Sequence, residues 1–386
     1  MYFSDVFSFQ YLYIPFIVFI LLLIHFRAKF HSIDNLVKEI DSLLPSRNDK
    51  IAIFILSMSF TLILGYMISI IIFSVSDVDN AMTGAIQAFF FLGKNPYVDP
   101  VVPHGVGFGS YIYGTYNYGP LDLIVYGIGY ILFSPFVGDV LWLYCTNVVI
   151  IMLAYLVIRK IVPISETIRV LPFAFITCFF LQDNSVLMFL NLAIAWYVHT
   201  KVQSDYKYYL TVIILTLGVF TKLYIAFVLV GYFIYVLREN IKLFVSNFFV
   251  SLITAILVIY PFGVFNVVKS VFLFNMDNTI RGKYAIIQGG LPYYLDILGL
   301  SFLFIPLAII CVVIFSLISE KYAKNQLNLK LAIFSILNLL LMPNSAYAFF
   351  IIPCFFLLIQ YYQNNYQNNY PITSTQVTKD TAYASS

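Results

Sequence analysis

An all-helical bundle of membrane-spanning segments is the fold class this sequence predicts, and three observations predict it. Sixty-one per cent of the 386 residues are hydrophobic and only 10% are charged, against about 25% charged in soluble domains. So few charges leave too little polar surface to cover a water-soluble globule of this size. The apolar stretches run for ~16 to 25 residues, without the period-two alternation of barrel strands. A spanning segment has to satisfy its backbone hydrogen bonds internally, which leaves helices. The count comes to roughly ten to twelve membrane segments, some of them short or broken.

The first helix runs from about Phe7 to Ile24. It has an acidic residue before it, Asp5, and no basic leader region, so it reads as a retained helix rather than a cleavable signal. The loop that follows carries Arg27, Lys29, Lys38, Arg47 and Lys50. Positive charge marks the cytoplasmic side, so the N-terminus is expected outside and this loop inside. A second helix extends from about Ile51 to Phe73, and the polar region from Ser74 to Tyr118 holds a single base, Lys94. That long loop is therefore expected outside, and long loops in compact proteins tend to be functional.

Further basic clusters are Arg159/Lys160/Arg169, Lys201/Lys207, Arg238/Lys242 and Lys321/Lys324/Lys330. If all are cytoplasmic, three helical hairpins point their tips outward at Gln182-Asp183-Asn184, Thr221-Lys222 and Pro343-Asn344-Ser345. The arms of the first two are only ~13 to 17 residues, short for a full crossing at 1.5 Å per residue. Short helices of this kind are tolerated where their ends line a cavity. A second external loop, Pro261 to Pro292, contains Asp277, Arg281 and Lys283. Two apolar runs, Leu121 to Phe136 and Leu141 to Ile158, pose a parity problem. Two full crossings would bring Arg159 back outside, so either one run does not span or this cluster is external.

The chain thus divides into 1–50, an extra helix with its basic cytoplasmic loop; 51–360, the membrane domain, with the external loop 74–120; and 361–386, an Asn/Gln/Ser/Thr-rich cytoplasmic tail expected to be disordered. The net charge of +3 is too small to point to nucleic acid. Cys145, Cys178, Cys311 and Cys354 lie in apolar runs without a CxxC spacing, which reads as buried thiols. No His/Cys/Asp cluster has zinc spacing and no Ser-His-Asp set stands out.

Chemistry concentrates in the external loop. It opens with Ser76-Asp77-Val78-Asp79-Asn80, continues through an amphipathic stretch from Ala81 to Leu92, and turns at Gly93-Lys94-Asn95-Pro96-Tyr97. It closes with Tyr116-Asn117-Tyr118-Gly119-Pro120-Leu121. A carboxylate at the membrane surface has two readings here. It can accept a proton from a substrate hydroxyl as general base, or it can cap a helix starting near Ala81.

These motifs resemble those of the GT-C superfamily of glycosyltransferases, which use polyprenyl-phosphate sugars. The likeness is greatest to the mannosyltransferases that add the first mannose to GPI anchors and to related bacterial and archaeal enzymes. The matching features are the acidic Asp77-Val78-Asp79, the helix, the Gly93-to-Tyr97 turn and the aromatic return ending in Tyr118-Gly119-Pro120-Leu121. Weaker likenesses are Leu181-Gln182-Asp183-Asn184, with Leu181 replacing a glycine, then Phe220-Thr221-Lys222, and Met342-Pro343-Asn344-Ser345. Residues 1–50 lie upstream of the resemblance.

The resemblance implies a transferase that moves a sugar, expected to be mannose, from a polyprenyl-phosphate carrier to an acceptor hydroxyl on a glycan, glycolipid or protein. The stereochemistry would be inverting, at the external face of a prokaryotic cell membrane. Asp79, fourteen residues before Gly93, matches the family's catalytic acid better than Asp77. Lys222, Arg281 and Lys283 are candidates to bind the donor phosphate, and Tyr97, Tyr118, Gln182 and Asn184 to bind substrate. A monophosphate leaving group can be stabilised by such cations, so no metal and no cofactor is expected beyond the donor itself. An intramembrane lysine such as Lys222 is otherwise explained by snorkelling.

His104 and the glycines Gly105, Gly107 and Gly109 carry no motif beyond a flexible loop. Tyr111, Tyr113, Tyr116, Tyr118, Tyr126 and Tyr130 suit either sugar stacking or an interfacial aromatic belt. A transporter or flippase for a lipid-linked or small polar solute is the alternative, since broken helices and a buried lysine suit it too. A subunit of a larger membrane complex is a third reading, and it leaves the external loop without purpose. Acceptor, sugar and oligomeric state are not legible.

Overall fold

The computed structural model describes residues 77–99, 116, 118–161, 184–273, 291, 295, 298–323, 326–341, 352–353, 355–357 and 359–360. The expected first two helices, the tip at 343–345 and the tail lie outside these. Every regular element among the described residues is a helix. In chain order the main ones are α1 (Asp77–Ile86), α2 (Pro120–Ile161), α3 (Ser185–Lys201), α4 (Tyr206–Val219), α5 (Ile225–Glu239), α6 (Ile241–Ile259), α7 (Phe304–Ala323) and α8 (Leu327–Ser335). A single π turn, Gln87–Phe91, extends α1, and a 3-10 turn, Tyr260–Phe262, extends α6.

Among the described residues, four segments are long and apolar enough to cross a membrane: Pro120–Asp139, Leu141–Ile161, Ile241–Phe262 and Phe304–Ala323. In the last two, only 11% and 6% of the most apolar stretch is buried inside the protein. Phe248, Phe249, Ile253 and Leu257 of α6, and Ile305, Ile309, Val313 and Leu317 of α7, are left bare. Apolar faces this extensive demand an apolar solvent.

Gly138 breaks α2 into two arms. Its φ of 74° is a conformation that other residues reach only with strain, and it reverses the chain. The arms, α2a (Pro120–Asp139) and α2b (Leu141–Ile161), then run antiparallel. Tyr126 donates to Asn147 at 2.8 Å, Gly129 lies against Thr146, and the rings of Tyr130 and Trp142 meet edge to face at 5.2 Å. Pro120 opens α2a, where its missing N–H costs nothing, and Asp122 in the first turn favours the positive helix end.

The arms end at different heights. Asp122, at the head of α2a, meets Asn184 at the head of α3. Lys160, at the foot of α2b, lies 5.9 Å from the Tyr197 ring near the foot of α3. The run of α3 from Asn184 to Tyr197 separates these two levels by about 20 Å. α2b thus passes the head of α2a and carries Arg159 and Lys160 toward the foot of α3.

That end collects the other basic clusters. Around the foot of α3, His199 bonds Tyr232 of α5 at 2.9 Å, and its ring meets those of Tyr208 and Tyr235. Arg238 at the foot of α5 pairs with Glu320 of α7, which also holds Lys330 of α8 at 2.6 Å. Asn240 caps α6 there by accepting from the backbone N–H groups of Lys242 and Leu243. The helices α3, α4 and α5 have 17, 14 and 15 residues, the short arms that the spacing predicts.

Among the described residues, two large apolar clusters make most of the core. One joins the bodies of α3, α4, α5 and α8 through Met188, Trp196, Val212, Val228 and Leu331. The other joins α1, α2 and the chain after α6 through Met82, Tyr126, Trp142, Phe262 and Val267. The head of α3 lies between them, with Val186 and Leu187 in the second cluster and Met188 in the first.

Candidate functional site

The amphipathic segment is already helical at Asp77, four residues before the start that the pattern suggests. Asp77 and Asp79 therefore lie on α1 itself and not ahead of it. The cap of a helix starting near Ala81 is a reading the backbone does not fit. Side chains of 77–80 lie outside the described set. One turn on from Asp79, α1 crosses the hairpin: the Trp142 indole of α2b donates to Thr83 at 3.3 Å, and Gln87 donates to Tyr130 of α2a at 3.1 Å.

The turn after α1 is built by Asn95. Its side chain accepts from the Tyr97 N–H at 3.0 Å and donates to the Phe262 carbonyl at 2.9 Å, which ties the loop to the end of α6. Tyr97 is buried between the rings of Tyr116 and Phe262, and its hydroxyl donates to the Tyr118 carbonyl at 2.8 Å. The Tyr116 N–H donates to the Pro96 carbonyl at 2.8 Å. Tyr97 is thus a strut between the turn and the returning chain. Lys94 in the same turn is exposed.

The returning chain docks on two helix ends. Gly119 lies so close to Phe220 that an added Cβ would stand 1.7 Å from its carbonyl oxygen, and the Leu121 N–H donates to that same oxygen at 3.2 Å. One residue on, Asp122 is fully buried and accepts from the Asn184 amide. Ser185, also fully buried, accepts from the Lys222 ammonium at 3.0 Å. The stem of Lys222 is half-buried, and its ammonium stands 5.6 Å from the Tyr224 ring. Next to it, Thr221 accepts from Asn191 at 3.3 Å and donates to the Gly218 carbonyl. Burial, and secondarily the Asp122 charge, push the hydroxyls of Tyr97 and Tyr116 well above the usual tyrosine range.

Four expected site residues, Tyr97, Tyr118, Asn184 and Lys222, are therefore gathered around the head of α2. Asp77 and Asp79 stand on α1. Gln182, Arg281 and Lys283 lie outside the described residues, as do His104, the 105–109 glycines, Tyr111 and Tyr113. Tyr116, Tyr126 and Tyr130 form neither a belt nor a stacking platform. All three are buried in contacts within the protein. Among the described residues no three His, Cys, Asp or Glu side chains gather as metal ligands would.

Sequence reasoning passed over Asp122. The signal was available: a carboxylate directly after the Pro120-Leu121 pair, at the head of an apolar run, is an intramembrane acid of the kind that marks functional sites. No protein-family model, curated protein or solved structure matches the chain.

Proposed function

We propose that this chain is a multi-pass membrane glycosyltransferase, moving a sugar, with mannose the first candidate, from a polyprenyl-phosphate carrier to an acceptor hydroxyl at the external face of a cell membrane. One observation carries the reading. Three segments, the loop return at Tyr118–Leu121 with Asp122 beside it, the tip at Asn184 and the tip at Lys222, meet through hydrogen bonds at the heads of α3 and α5, away from the basic feet of those helices. With the basic end cytoplasmic, this polar centre faces outward.

In the proposed step the acceptor oxygen attacks the anomeric carbon as the bond from that carbon to the phosphate oxygen breaks. The carrier leaves as polyprenyl phosphate, its charge met by the Lys222 ammonium. Asp79 takes the acceptor's proton. The acceptor is a glycan, a glycolipid or a protein.

The test incubates the purified protein with radiolabelled polyprenyl-phosphate sugars and a membrane lipid extract. Transfer by the native chain is expected, with loss of about 10² to 10⁴ in rate for Asp79→Asn at unchanged protein level and melting. Asn keeps shape and helix compatibility while removing the proton acceptor. A native rate in Asp79→Asn sinks the assignment of the base; no transfer from any carrier by the native chain sinks the reading itself. The full burial of Asp122 among packed helices favours a second reading, a transporter of a lipid-linked solute. Counterflow of labelled carrier lipid across proteoliposomes without sugar transfer is the outcome that would select it.

A further inference from the structure

We infer that Asp122 is a positioning residue for the donor phosphate, acting on Lys222 through Asn184 and Ser185. The inference rests on the reading of Lys222 as the phosphate-binding cation.

A lysine side chain is a flexible four-carbon stem carrying a compact charge, and holding it in one place costs rotamer entropy. Here the ammonium is held by the Ser185 hydroxyl at 3.0 Å. Ser185 is the first residue of α3, so its position depends on what fixes the head of that helix. The preceding residue, Asn184, makes no side-chain cap of its own helix. Its amide is given instead to Asp122, and both residues are completely buried.

The same stretch of chain reaches the Lys222 tip from the other side. The Leu121 N–H bonds the Phe220 carbonyl, two residues before Lys222, with Gly119 pressed on that carbonyl. The two tips are bonded to each other, by Lys222 to Ser185 and by Asn191 to Thr221. Three segments far apart in sequence thus close a triangle of hydrogen bonds. Lys222 occupies one corner, and the stretch Gly119–Asp122 the corner that touches both tips, through Leu121 to one and through Asp122 to the other. A triangle closed in this way has one arrangement, and removing the Asp122 bond frees the head of α3 and with it the seat of the ammonium.

The experiment is a double-mutant cycle on binding, independent of transfer. Undecaprenyl phosphate is the probe, and its affinity is measured for the full chain in lipid nanodiscs. Lys222→Met should weaken binding at least tenfold, and Asp122→Asn by about tenfold, because contacting networks couple at this level. In the Lys222→Met background the same Asp122→Asn change should alter affinity less than about twofold, since nothing remains for it to position.

If the native chain does not bind the probe, or Lys222→Met leaves binding intact, the phosphate-cation reading fails and takes the inference with it. If Lys222→Met weakens binding but Asp122→Asn has no effect, tightens binding, or weakens it equally in both backgrounds, the inference alone fails. Should Asp122→Asn not fold, Asn184→Ser takes its place. Serine is acceptable at a helix head and is too short to reach Asp122, so the same Lys222-dependent tenfold loss is expected.

Discussion

The hydroxyl of Tyr116 is buried and makes no hydrogen bond among the described residues, whereas that of Tyr97, one ring away, donates to the Tyr118 carbonyl. An unmet buried donor costs about 1–3 kcal/mol, and a made hydrogen bond contributes about 1 kcal/mol. The two neighbours should therefore respond with opposite signs: Tyr116→Phe melts at the native temperature or above, and Tyr97→Phe melts below it. Alkaline pH adds a second check. Both phenols are raised above the unfolded value of 10.0 by burial and by the Asp122 charge. Their stabilisation is complete below pH 10 and is lost as pH rises through the folded values. A Tyr97→Phe/Tyr116→Phe double variant should lose less stability between pH 10 and 11 than the native chain in a detergent melting series. Equal losses would mean that these phenols do not govern the alkaline limb.

Among the elements, the hairpin α2 and its docking on α4 carry the most exacting contacts. Gly119→Ala would drive a Cβ into the backbone oxygen of Phe220, which has no flexible end to yield. Overpacking of this kind costs about 1–3 kcal/mol, and it should also break the Leu121–Phe220 bond and lower sugar transfer. Gly138→Ala is the contrast. Its Cβ meets open space, but its φ of 74° with ψ of 178° is a region almost reserved for glycine, so it should cost about 1–3 kcal/mol of strain and leave transfer near native. Melting and transfer measured on both variants would separate the effects, and equal transfer would remove the docked segment from the site. Composition made the two apolar runs of this hairpin legible, and the Gly-Pro pair marked its head. Their fold-back was not legible, because it depends on Tyr126–Asn147 and Tyr130–Trp142, pairings with no trace in periodicity. The pairing of Asp122 was hidden for the same reason: its partner, Asn184, comes 62 residues later.

For the whole molecule, the gathering of Lys160, Lys207, Arg238 and Lys330 at one end was foreseeable, since charge clusters follow composition and need no tertiary knowledge. Ser204, in the turn between α3 and α4, and Lys94, beyond α1, are both exposed and sit at opposite ends. With the four native cysteines replaced, an impermeant maleimide added to intact cells should label Lys94→Cys and spare Ser204→Cys. The reverse pattern would invert the proposed orientation and put the polar centre in the cytoplasm.

The unequal helices have a consequence for how a lipid substrate arrives. Starting from the same basic end, α6 has 19 residues, α4 has 14 and α5 has 15. At about 1.5 Å per residue the shorter pair stops roughly 6–7 Å below the end of α6. On the proposed membrane reading, Lys222 lies on the floor of a shallow well, beneath the plane of the surrounding head groups. A carrier lipid would reach it by sinking rather than by rising out of its leaflet. Its phosphate would shed water on the way down, and the seated ammonium is the group placed to compensate that dehydration. Bilayer thickness then becomes a control on catalysis, because a thicker leaflet deepens the well and a thinner one brings its floor level with the lipid heads.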